Sequence, residues 1–349
     1  MNPKNILIIK LSSIGDVVHA LPVSYELKNK WPECHITWVV EPVSRDIVAM
    51  DPCVDDIIVF EKQAFRSLGG ILKNYGPLKR AIRQRRYDLV LDLQGLFKSA
   101  AIAWLAEAPN GCKLGPVDMR EGSQHISRPV IGPHAQAHVI ERYLDVVRSL
   151  GVDVPDAPDG SAVHFPLAVK AEHVAGAAAR FRQAGADMKN PYVTIAVGAN
   201  WPTKRWPEEN MAAFADILYD HELIPVLVGG GPVDEGRATK VASLMDIPPV
   251  DLVGKLSFPE LAATFQHASA VIGPDTGICH LAIALSAPTL MLMGPTIPER
   301  TGPYGPTGRL LLAGRPCVRC FERACPKNLD CLGAISAEEA WGELEKILR

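Results

Sequence analysis

The chain lacks any apolar segment long enough to cross a bilayer. Its longest apolar run, residues 281–293, is interrupted by Ser286, Pro288 and Thr289. The apolar stretch near the N-terminus, residues 6–9, is too short for the core of a signal peptide and has no cleavage site after it. We therefore expect a cytoplasmic protein. A missing membrane span does not exclude peripheral contact with a membrane.

The sequence also has little net charge, −3 over 349 residues, with 48% apolar and 21% charged residues. This composition is ordinary for a globular protein, and the length allows two domains. Without bulk positive charge, no nucleic-acid partner is expected. Residues 62–86 are the exception, since they carry eight basic side chains and no acidic one. This segment would attract an anionic surface or acceptor, although a solvated helix face is the more common explanation.

Two nucleotide-binding fingerprints are absent. The sequence contains neither a Gly-x-Gly-x-x-Gly motif nor a Walker loop. This absence argues against a dinucleotide-dependent dehydrogenase and against an ATPase. Short internal repeats and low-complexity segments are absent as well.

Short apolar runs alternate with longer helical patterns along the chain. We predict strands at residues 5–10, 35–40, 57–60, 88–92, 192–197, 224–228, 250–253, 270–273 and 289–293. We predict helices at residues 15–29, 67–86, 98–106, 138–150, 168–184, 207–220, 232–245, 257–267, 277–285 and 336–348. This alternation predicts an α/β protein with parallel sheets.

A segment rich in Pro, Asp and Gly, residues 151–160, is the best candidate for a linker. We therefore predict two Rossmann-like domains, residues 1–160 and 161–335, and a C-terminal helix in residues 336–349 that could pack on either half. Parallel sheets of this kind bind ligands at the carboxyl ends of their strands. With two such sheets, the expected site is a central cleft that both of them face.

The most informative segment is residues 270–280. An apolar run ends at a Gly-Pro pair, and Asp275, Thr276 and Gly277 then open a predicted helix. The N-terminus of a helix has unpaired N–H donors and partial positive charge, so it holds phosphate well. His280 follows three residues after Gly277 and can face the same crevice. The segment predicts half of a site for a phosphorylated sugar or nucleotide.

Two further loops of the second half follow predicted strands. Lys204 precedes a predicted helix, where a cation can neutralise a diphosphate leaving group, and Asn200 and Thr203 could add hydrogen bonds. Gly230 lies in a run of three glycines after the next strand, where the backbone can approach a ligand closely. The alternatives are a surface loop with exposed cations and a flexible turn.

In the first half, Ser12, Ser13 and Asp16 follow the first predicted strand. One of the serines can cap the helix that comes next, and Asp16 then lies near the helix start and faces the cleft. A carboxylate there is a reasonable general base for a sugar hydroxyl. The alternative is that Asp16 only complements the helix dipole.

Three more polar residues of the first half are candidates for binding the acceptor. Gln94 and Lys98 follow the strand at residues 88–92 and should point into the same cleft, unless Lys98 lies in solvent. Arg120 is a candidate anion clamp. An exposed arginine on a loop is the competing explanation for it.

The last candidate site is a cluster of cysteines, Cys317, Cys320, Cys325 and Cys331. The spacing could hold zinc or form disulfides. A structural role in tying down the last loop is favoured over catalysis, and no catalytic metal is expected.

Five segments occur together in a characteristic order. They read IIKLSSIGDVVH at residues 8–19, YDLVLDLQGLFKS at 87–99, KRWP at 204–207, DTGICH at 275–280 and GPT at 294–296. Single segments of this kind are common, but the set is specific and spans most of the chain. As a set it resembles glycosyltransferase family 9, the lipopolysaccharide heptosyltransferases.

The resemblance implies a GT-B architecture, with an acceptor-binding N-terminal domain and a C-terminal domain that binds the nucleotide sugar. It implies inverting transfer of a heptose from ADP-heptose to the inner core of lipopolysaccharide, with an ADP-sugar as co-substrate and no cofactor. Peripheral contact with the inner membrane is compatible with such an acceptor.

The resemblance also implies roles for particular residues. Asp16 corresponds to the proposed base, and Lys204 to the lysine that contacts the diphosphate. Asp275, Thr276, Gly277 and His280 correspond to residues that line the donor pocket. Asp16 and the Thr276 turn should then face each other across one gap.

Two departures from the family pattern leave details open. Asn200 lies in a segment where some members carry another polar pair, and the cysteine cluster is similar to that of some second-heptose enzymes. The acceptor and the position of the heptose therefore stay undecided. The competing functions are a GT-B-like nucleotide-sugar epimerase and a non-catalytic nucleotide- or carbohydrate-binding protein. The presence of Asp16, Lys204 and Asp275 after separate strands favours the transferase.

Overall fold

A computed structural model of the chain describes residues 2–156 and 159–349. Two compact units are distinguished. The first comprises the described residues of Met1–Ala157 and Ala162–Ala168, and the second those of Pro158–Ser161 and Val169–Arg349. Two positions of the predicted linker, 157 and 158, lie outside the described residues.

The first unit is built on a parallel sheet with the strand order β3-β2-β1-β4-β5-β6. Its strands are β1 (Asn5–Ile9), β2 (His35–Val40), β3 (Asp56–Val59), β4 (Leu89–Asp92), β5 (Lys113–Gly115) and β6 (Arg128–Pro129). Its helices are α1 (Ile14–Lys30), α2 (Arg45–Ala49), α3 (Leu68–Ile82), α4 (Phe97–Leu105) and α5 (Val139–Arg148).

The central strands of this sheet are buried on both faces. Residues 6–9 of β1 are fully buried, and Leu7 and Ile9 belong to one core cluster with Val90 of β4 and Ile102 of α4. A strand covered on both faces by helices reads as a continuous apolar run. This explains why the first strand could be predicted from the sequence. The strand order places the carboxyl ends of β1, β2 and β4 side by side.

The second unit is built on another parallel sheet, with the order β12-β11-β10-β7-β8-β9. Its strands are β7 (Tyr192–Ala196), β8 (Ile224–Val228), β9 (Val250–Asp251), β10 (Ala270–Pro274), β11 (Thr289–Met293) and β12 (Gly308–Leu312). Its helices are α6 (Ala171–Gln183), α7 (Glu208–Asp220), α8 (Pro232–Ser243), α9 (Phe258–His267), α10 (Gly277–Ala284), α11 (Pro298–Thr301) and α12 (Ala337–Leu348).

The C-terminal helix α12 packs against α7 of the second unit. Ala340 and Leu344 are buried in the core of that unit, and the ring of Trp341 stacks on His221 with 4.2 Å between ring centroids. From the sequence, this helix could pack on either half of the chain, and the structure places it in the second unit.

The predicted α/β class with parallel sheets is confirmed, and each predicted strand and helix has a counterpart in the structure. The prediction missed the short strands β5 and β6, the edge strand β12 and the short helices α2 and α11. Two or three strand residues give no readable alternation, and β12 is partly exposed at the sheet edge, which removes the apolar run. The described helices include none that is both long and apolar enough to span a bilayer.

Candidate functional site

The loop after β1 holds the predicted base at the start of α1. Ser13 is the residue before the helix, and Asp16 accepts hydrogen bonds at Oδ2 from the Ser13 backbone N–H (3.0 Å) and the Ser13 hydroxyl (2.8 Å). A carboxylate in the first turn also complements the helix dipole. The structure therefore places Asp16 where it complements the helix dipole, which was the alternative to a catalytic role, and adds hydrogen bonds from Ser13; the side chain is half-buried.

Gln94 and Lys98 tie this loop to its neighbours in the sheet. The Gln94 side-chain oxygen accepts hydrogen bonds from the backbone N–H groups of Leu11 (3.0 Å) and Ser12 (3.1 Å). The Lys98 ammonium donates to the Ser12 hydroxyl (3.2 Å) and to Glu41 Oε1 (2.6 Å). The structure therefore brings Ser12, Gln94 and Lys98 together, and Lys98 is a partly buried, paired cation rather than a solvated one.

Sequence reasoning assigned no role to two charged residues of this half-site. Glu41 follows β2 directly, and Lys10 follows β1, where the ammonium donates to the Leu93 carbonyl (3.1 Å) and the Tyr143 hydroxyl (2.6 Å). Burial lowers the pKa of Lys10, and the nearby charge of Asp16 opposes that shift. The sequence did offer a signal for both residues, because Lys10 directly follows the apolar strand β1 and Glu41 directly follows β2.

Arg120 lies in the exposed loop after β5. Its backbone N–H donates to the carbonyl of Gly95 (2.8 Å), a residue with a left-handed backbone (φ +63°). A Cβ at Gly95 would come within 3.2 Å of the Met119 backbone, so the turn needs glycine there. Arg120 is thus anchored beside the Gln94 turn, with its side chain exposed.

In the second unit, the predicted donor residues meet where the adjacent strands β7 and β10 end. The Lys204 ammonium donates to Asp275 at Oδ2 (2.9 Å) and at the backbone carbonyl (3.1 Å). His280 Nε2 lies 2.9 Å from Asp275 Oδ1, and both of these side chains are buried. The structure therefore joins Lys204, Asp275 and His280 into one constellation.

Asp275 is held ionised by this constellation. Burial alone would raise the pKa of the carboxyl, but the hydrogen bond and charge from His280, and the charge of Lys204, lower it well below its usual range. An ammonium group has three N–H donors. Asp275 engages two of those of Lys204, which leaves a donor for a phosphate oxygen. The indole of Trp201 lies under the same ammonium, 4.8 Å from ring centroid to Nζ.

The N-terminus of α10 begins beside the same carboxylate. Thr276 precedes the helix, and Gly277 is its first residue; within residues 2–156 and 159–349, no side chain caps the first turn. The Thr276 hydroxyl is buried beside the Cys279 thiol, with which it shares a side-chain hydrogen bond. Uncapped N–H groups and a buried hydroxyl together suit an anionic ligand such as a diphosphate.

The structure does not gather the other predicted donor residues into this constellation. The Thr203 hydroxyl donates to the backbone carbonyls of Glu322 (2.9 Å) and Arg323 (3.3 Å). Asn200 is exposed on the same loop. Gly230 follows β8, which lies on the opposite side of β7 from β10, and its N–H donates to Asp234 Oδ2 (3.0 Å).

The cysteine cluster lines a small cavity of about 20 Å³, the size of one water molecule, together with Thr203, Pro295, Arg315 and Leu329. All four of its cysteines are free thiols in this structure. Burial and the neighbouring thiols raise the pKa of Cys331 to about 11. Across residues 2–156 and 159–349, no group of three or more His, Cys, Asp or Glu side chains is arranged to hold a metal ion.

In each unit the candidate residues lie where parallel strands end and helices begin, as in α/β enzymes that handle nucleotides and sugars. The family model of glycosyltransferase family 9 (heptosyltransferase) matches residues 76–329. The chain belongs to this family and is a glycosyltransferase.

Individual relatives agree with this membership. Lipopolysaccharide heptosyltransferase 1 of Pseudomonas aeruginosa is 30% identical over 328 residues, which cover 92% of this chain and 87% of the relative. Among solved structures, the family 9 glycosyl transferase of Veillonella parvula has a TM-score of 0.84 at 24% identity, covering 99% of this chain and 97% of that one.

A second solved protein was crystallised with nucleotides. E. coli heptosyltransferase WaaC with ADP has a TM-score of 0.78 at 26% identity, covering 98% of this chain and 99% of that one. WaaC was also solved with ADP-2-deoxy-2-fluoro heptose, with a TM-score of 0.75 at 25% identity and the same coverage. The architecture predicted from the sequence, GT-B with two Rossmann-like sheets, is thereby confirmed as the fold class.

Proposed function

We propose that this glycosyltransferase moves a heptose from ADP-heptose to the inner core of lipopolysaccharide, with inversion at the anomeric carbon. The observation that carries the proposal is the pairing of Asp275 with both Lys204 and His280 beside the uncapped start of α10. The relative named lipopolysaccharide heptosyltransferase 1 and the WaaC complexes with ADP and an ADP-heptose analogue support this choice of donor and acceptor.

The donor is assigned to the second unit. Lys204 and the first N–H groups of α10 bind the diphosphate, and Asp275 orients Lys204 while His280 orients Asp275. Thr276 and Gly277 line the same pocket, with Asn200, Thr203 and Gly230 on neighbouring loops. Fixed positive groups at the leaving oxygen stabilise the charge that develops there, because they need no rearrangement during the reaction.

The acceptor is assigned to the first unit. Lys98 and Arg120 are the cations for anionic groups of the acceptor, and Ser12, Ser13 and Gln94 shape the loop that presents Asp16. Asp16 accepts the proton of the acceptor hydroxyl. The hydroxyl oxygen then forms a bond to the anomeric carbon as the bond from that carbon to the diphosphate breaks, and ADP leaves with the electron pair.

The cysteine cluster is assigned a structural role. The hydrogen bonds of the Thr203 hydroxyl to the carbonyls of residues 322 and 323 connect this segment to the loop that carries Lys204. Holding that loop in place supports the donor site without taking part in the chemistry.

The enzyme is proposed to act at the cytoplasmic side of the inner membrane, in peripheral contact with it, where its lipid-anchored acceptor is presented.

A direct assay tests the transfer. The full-length protein is incubated with ADP-heptose and either heptose-free lipopolysaccharide or the same glycolipid carrying one heptose, and ADP release is measured with the mass of the product. We expect ADP release and a mass gain of one heptose with one acceptor only. Conversion of ADP-heptose without acceptor would indicate an epimerase, and ADP binding without turnover on either glycolipid would indicate a binding protein.

A variant of Lys204 tests the donor site. Lys204→Ala should weaken ADP binding about tenfold or more, since a hydrogen bond to a charged group contributes roughly 1.5–3 kcal/mol. Lys240→Ala is the matched control, because Lys240 pairs with Glu208 and Glu209 on the exposed face of the same unit. Unchanged affinity for ADP in a folded Lys204→Ala protein would refute the assigned role.

A further inference from the structure

The apolar stripe of α3 is covered over only part of its length. Leu68, Ile71, Leu72, Tyr75, Leu78 and Ile82 follow the spacing of one helical face. Ile82 is buried in the core of the first unit, and Leu78 packs against the same core. The N-terminal half of this stripe has no such cover, because Leu68 and Leu72 are 82% and 83% exposed.

The neighbouring helix α4, which contacts α3, has the same property. Phe97 and Trp104 lie seven residues apart on one face of α4 and are 71% and 61% exposed. Among the described residues, the five most exposed large apolar side chains all belong to the first unit, and four of them lie on α3 and α4. Apolar exposure is therefore concentrated on this pair of helices, which is a sign of an interaction surface.

Positive charge surrounds the exposed leucines. The segment 62–86 has eight basic residues and no acidic one. Three of them, Arg83, Arg85 and Arg86, form ion pairs with Glu107 or Asp56. Within the described part of the chain, the other five have no carboxylate partner; these are Lys62, Arg66, Lys73, Lys79 and Arg80. An unpaired cluster of this kind attracts a surface with many negative charges.

We propose that α3 and the exposed face of α4 form a docking surface for a bilayer of anionic phospholipid. The leucines and Trp104 would enter the boundary between headgroups and acyl chains, and the unpaired lysines and arginines would contact the phosphate groups. A soluble anion would use the cations but not the leucines, so the combination of both favours a bilayer. This docking extends the peripheral membrane contact of the proposed function and names the residues that make it.

Vesicle binding by the full-length protein tests this surface without any sugar transfer. We expect sedimentation with vesicles of phosphatidylglycerol and phosphatidylethanolamine, weaker binding at high salt, and little binding to phosphatidylcholine vesicles. The double variant Leu68→Ser/Leu72→Ser should reduce the partition coefficient about tenfold or more, because two leucines lose their apolar contact. Lys73→Gln/Arg80→Gln should reduce it severalfold and flatten the salt dependence.

A matched double variant in the second unit, Val233→Ser/Ile247→Ser, removes apolar side chains that are 56% and 60% exposed and should bind vesicles like the parent. Transfer to a deacylated, water-soluble acceptor should be unaffected by Leu68→Ser/Leu72→Ser, which shows that the variant is folded. If the parent transfers heptose but ignores anionic vesicles, the docking surface is refuted and the transferase stands. If Leu68→Ser/Leu72→Ser instead abolished self-association of the protein and left vesicle binding unchanged, the face would be an interface with a second copy of the chain. That result would also refute the docking surface.

Discussion

Asp16 is proposed to act as the general base while its side chain also caps α1. Its Oδ2 accepts two hydrogen bonds from Ser13, which fixes the carboxylate at the start of α1. A general base must be held within reach of the proton that it removes, so the capping contact supports a catalytic role rather than competing with it. Lys10 is buried behind the same loop, and the charge of Asp16 opposes the lowering of the Lys10 pKa by burial.

Asp16→Asn tests that role at the level of one atom. The amide still accepts hydrogen bonds from Ser13 but cannot take a proton, so we expect kcat to fall about 10²–10⁴-fold with ADP affinity nearly unchanged. Steady-state ADP release and ADP titration measure the two quantities. Asp46→Asn is the control, since Asp46 is an exposed residue of the same unit that pairs with Arg45. Parental turnover of Asp16→Asn would show that another group is the base.

Asp51 is a buried carboxyl outside the site, and it should make stability depend on pH. Burial raises its pKa to about 7, and its Oδ2 lies 2.5 Å from the Ser24 hydroxyl. That hydroxyl also donates to the Leu21 carbonyl at 2.6 Å, so a protonated Asp51 is the better partner. The folded state holds this proton more tightly than the unfolded state does. Protonated Asp51 therefore contributes to the free energy of unfolding at low pH, and this contribution is lost as pH rises through about 7.

Asp51→Asn should therefore be relatively more stable at pH 8 than at pH 5. In the parent, this one group lowers the free energy of unfolding by at most about 1.4 kcal/mol per pH unit over the window between the two pKa values. Urea unfolding of both proteins across that window measures the difference. Parallel curves for parent and variant would contradict a raised pKa, and Asp46→Asn should leave the slope unchanged.

At the scale of elements, the contact between β10 and α10 sets the position of the proposed donor site. A Cβ at Gly273 would lie 2.6 Å from the Ala196 Cβ and 2.9 Å from the Cys279 sulfur. The strand β10 therefore approaches both β7 and the helix too closely for any side chain. This close approach places Asp275 and the start of α10 beside the loop that carries Lys204.

Gly273→Ala should disturb this contact. Overpacking of a dense core typically costs about 1–3 kcal/mol, and displacement of α10 should also weaken ADP binding. Gly236→Ala is a matched control in α8, because nothing lies within 4 Å of a Cβ there and alanine favours a helix by about 0.5–1 kcal/mol. Thermal unfolding and ADP titration of both variants give the comparison. If Gly273→Ala and Gly236→Ala were equally stable, the core around Gly273 would have room for a methyl group and the prediction would be wrong.

The elements that the sequence predicted well are the long and buried ones. Strands β1, β7 and β11 read as apolar runs because helices cover both faces of each sheet. Helix α12 was predicted from its own pattern, but its packing against α7 was not, because an amphipathic face does not specify what it packs against. The short strands β5 and β6 gave no signal, since their pairing depends on the neighbouring strand, β4 for β5 and β5 for β6, rather than on their own residues.

At the scale of the whole molecule, the chain consists of two units with separate cores. Each unit carries candidate site residues at the carboxyl ends of its own parallel strands, and these residues hydrogen-bond within their own unit. If the second unit alone binds the nucleotide, ADP should protect amides in residues 197–206 and 274–281 from hydrogen exchange. Residues 10–17 and 92–99 of the first unit should exchange at their original rates.

Hydrogen exchange with and without ADP, followed by mass spectrometry on the full-length protein, measures this directly. Lys204→Ala should reduce the protection in residues 274–281 at the same ADP concentration, and Lys240→Ala should not. Protection of residues 10–17 equal to that of residues 274–281 would contradict the assignment of the nucleotide to the second unit.

The sequence by itself determined the class of the fold and the positions of the loops that carry the candidate site residues. Parallel strands covered on both faces must be apolar along their length, and the polar residues that follow them mark the sheet edge where ligands bind. Tertiary structure decided which of these residues act together. Lys204 and Asp275 are 71 positions apart and form an ion pair only because β7 and β10 are adjacent. Thr203, next to Lys204, donates instead to the carbonyl of Glu322, between Cys320 and Cys325. Strand order and side-chain direction determine each of these partners, and both depend on contacts between residues that are distant in the chain.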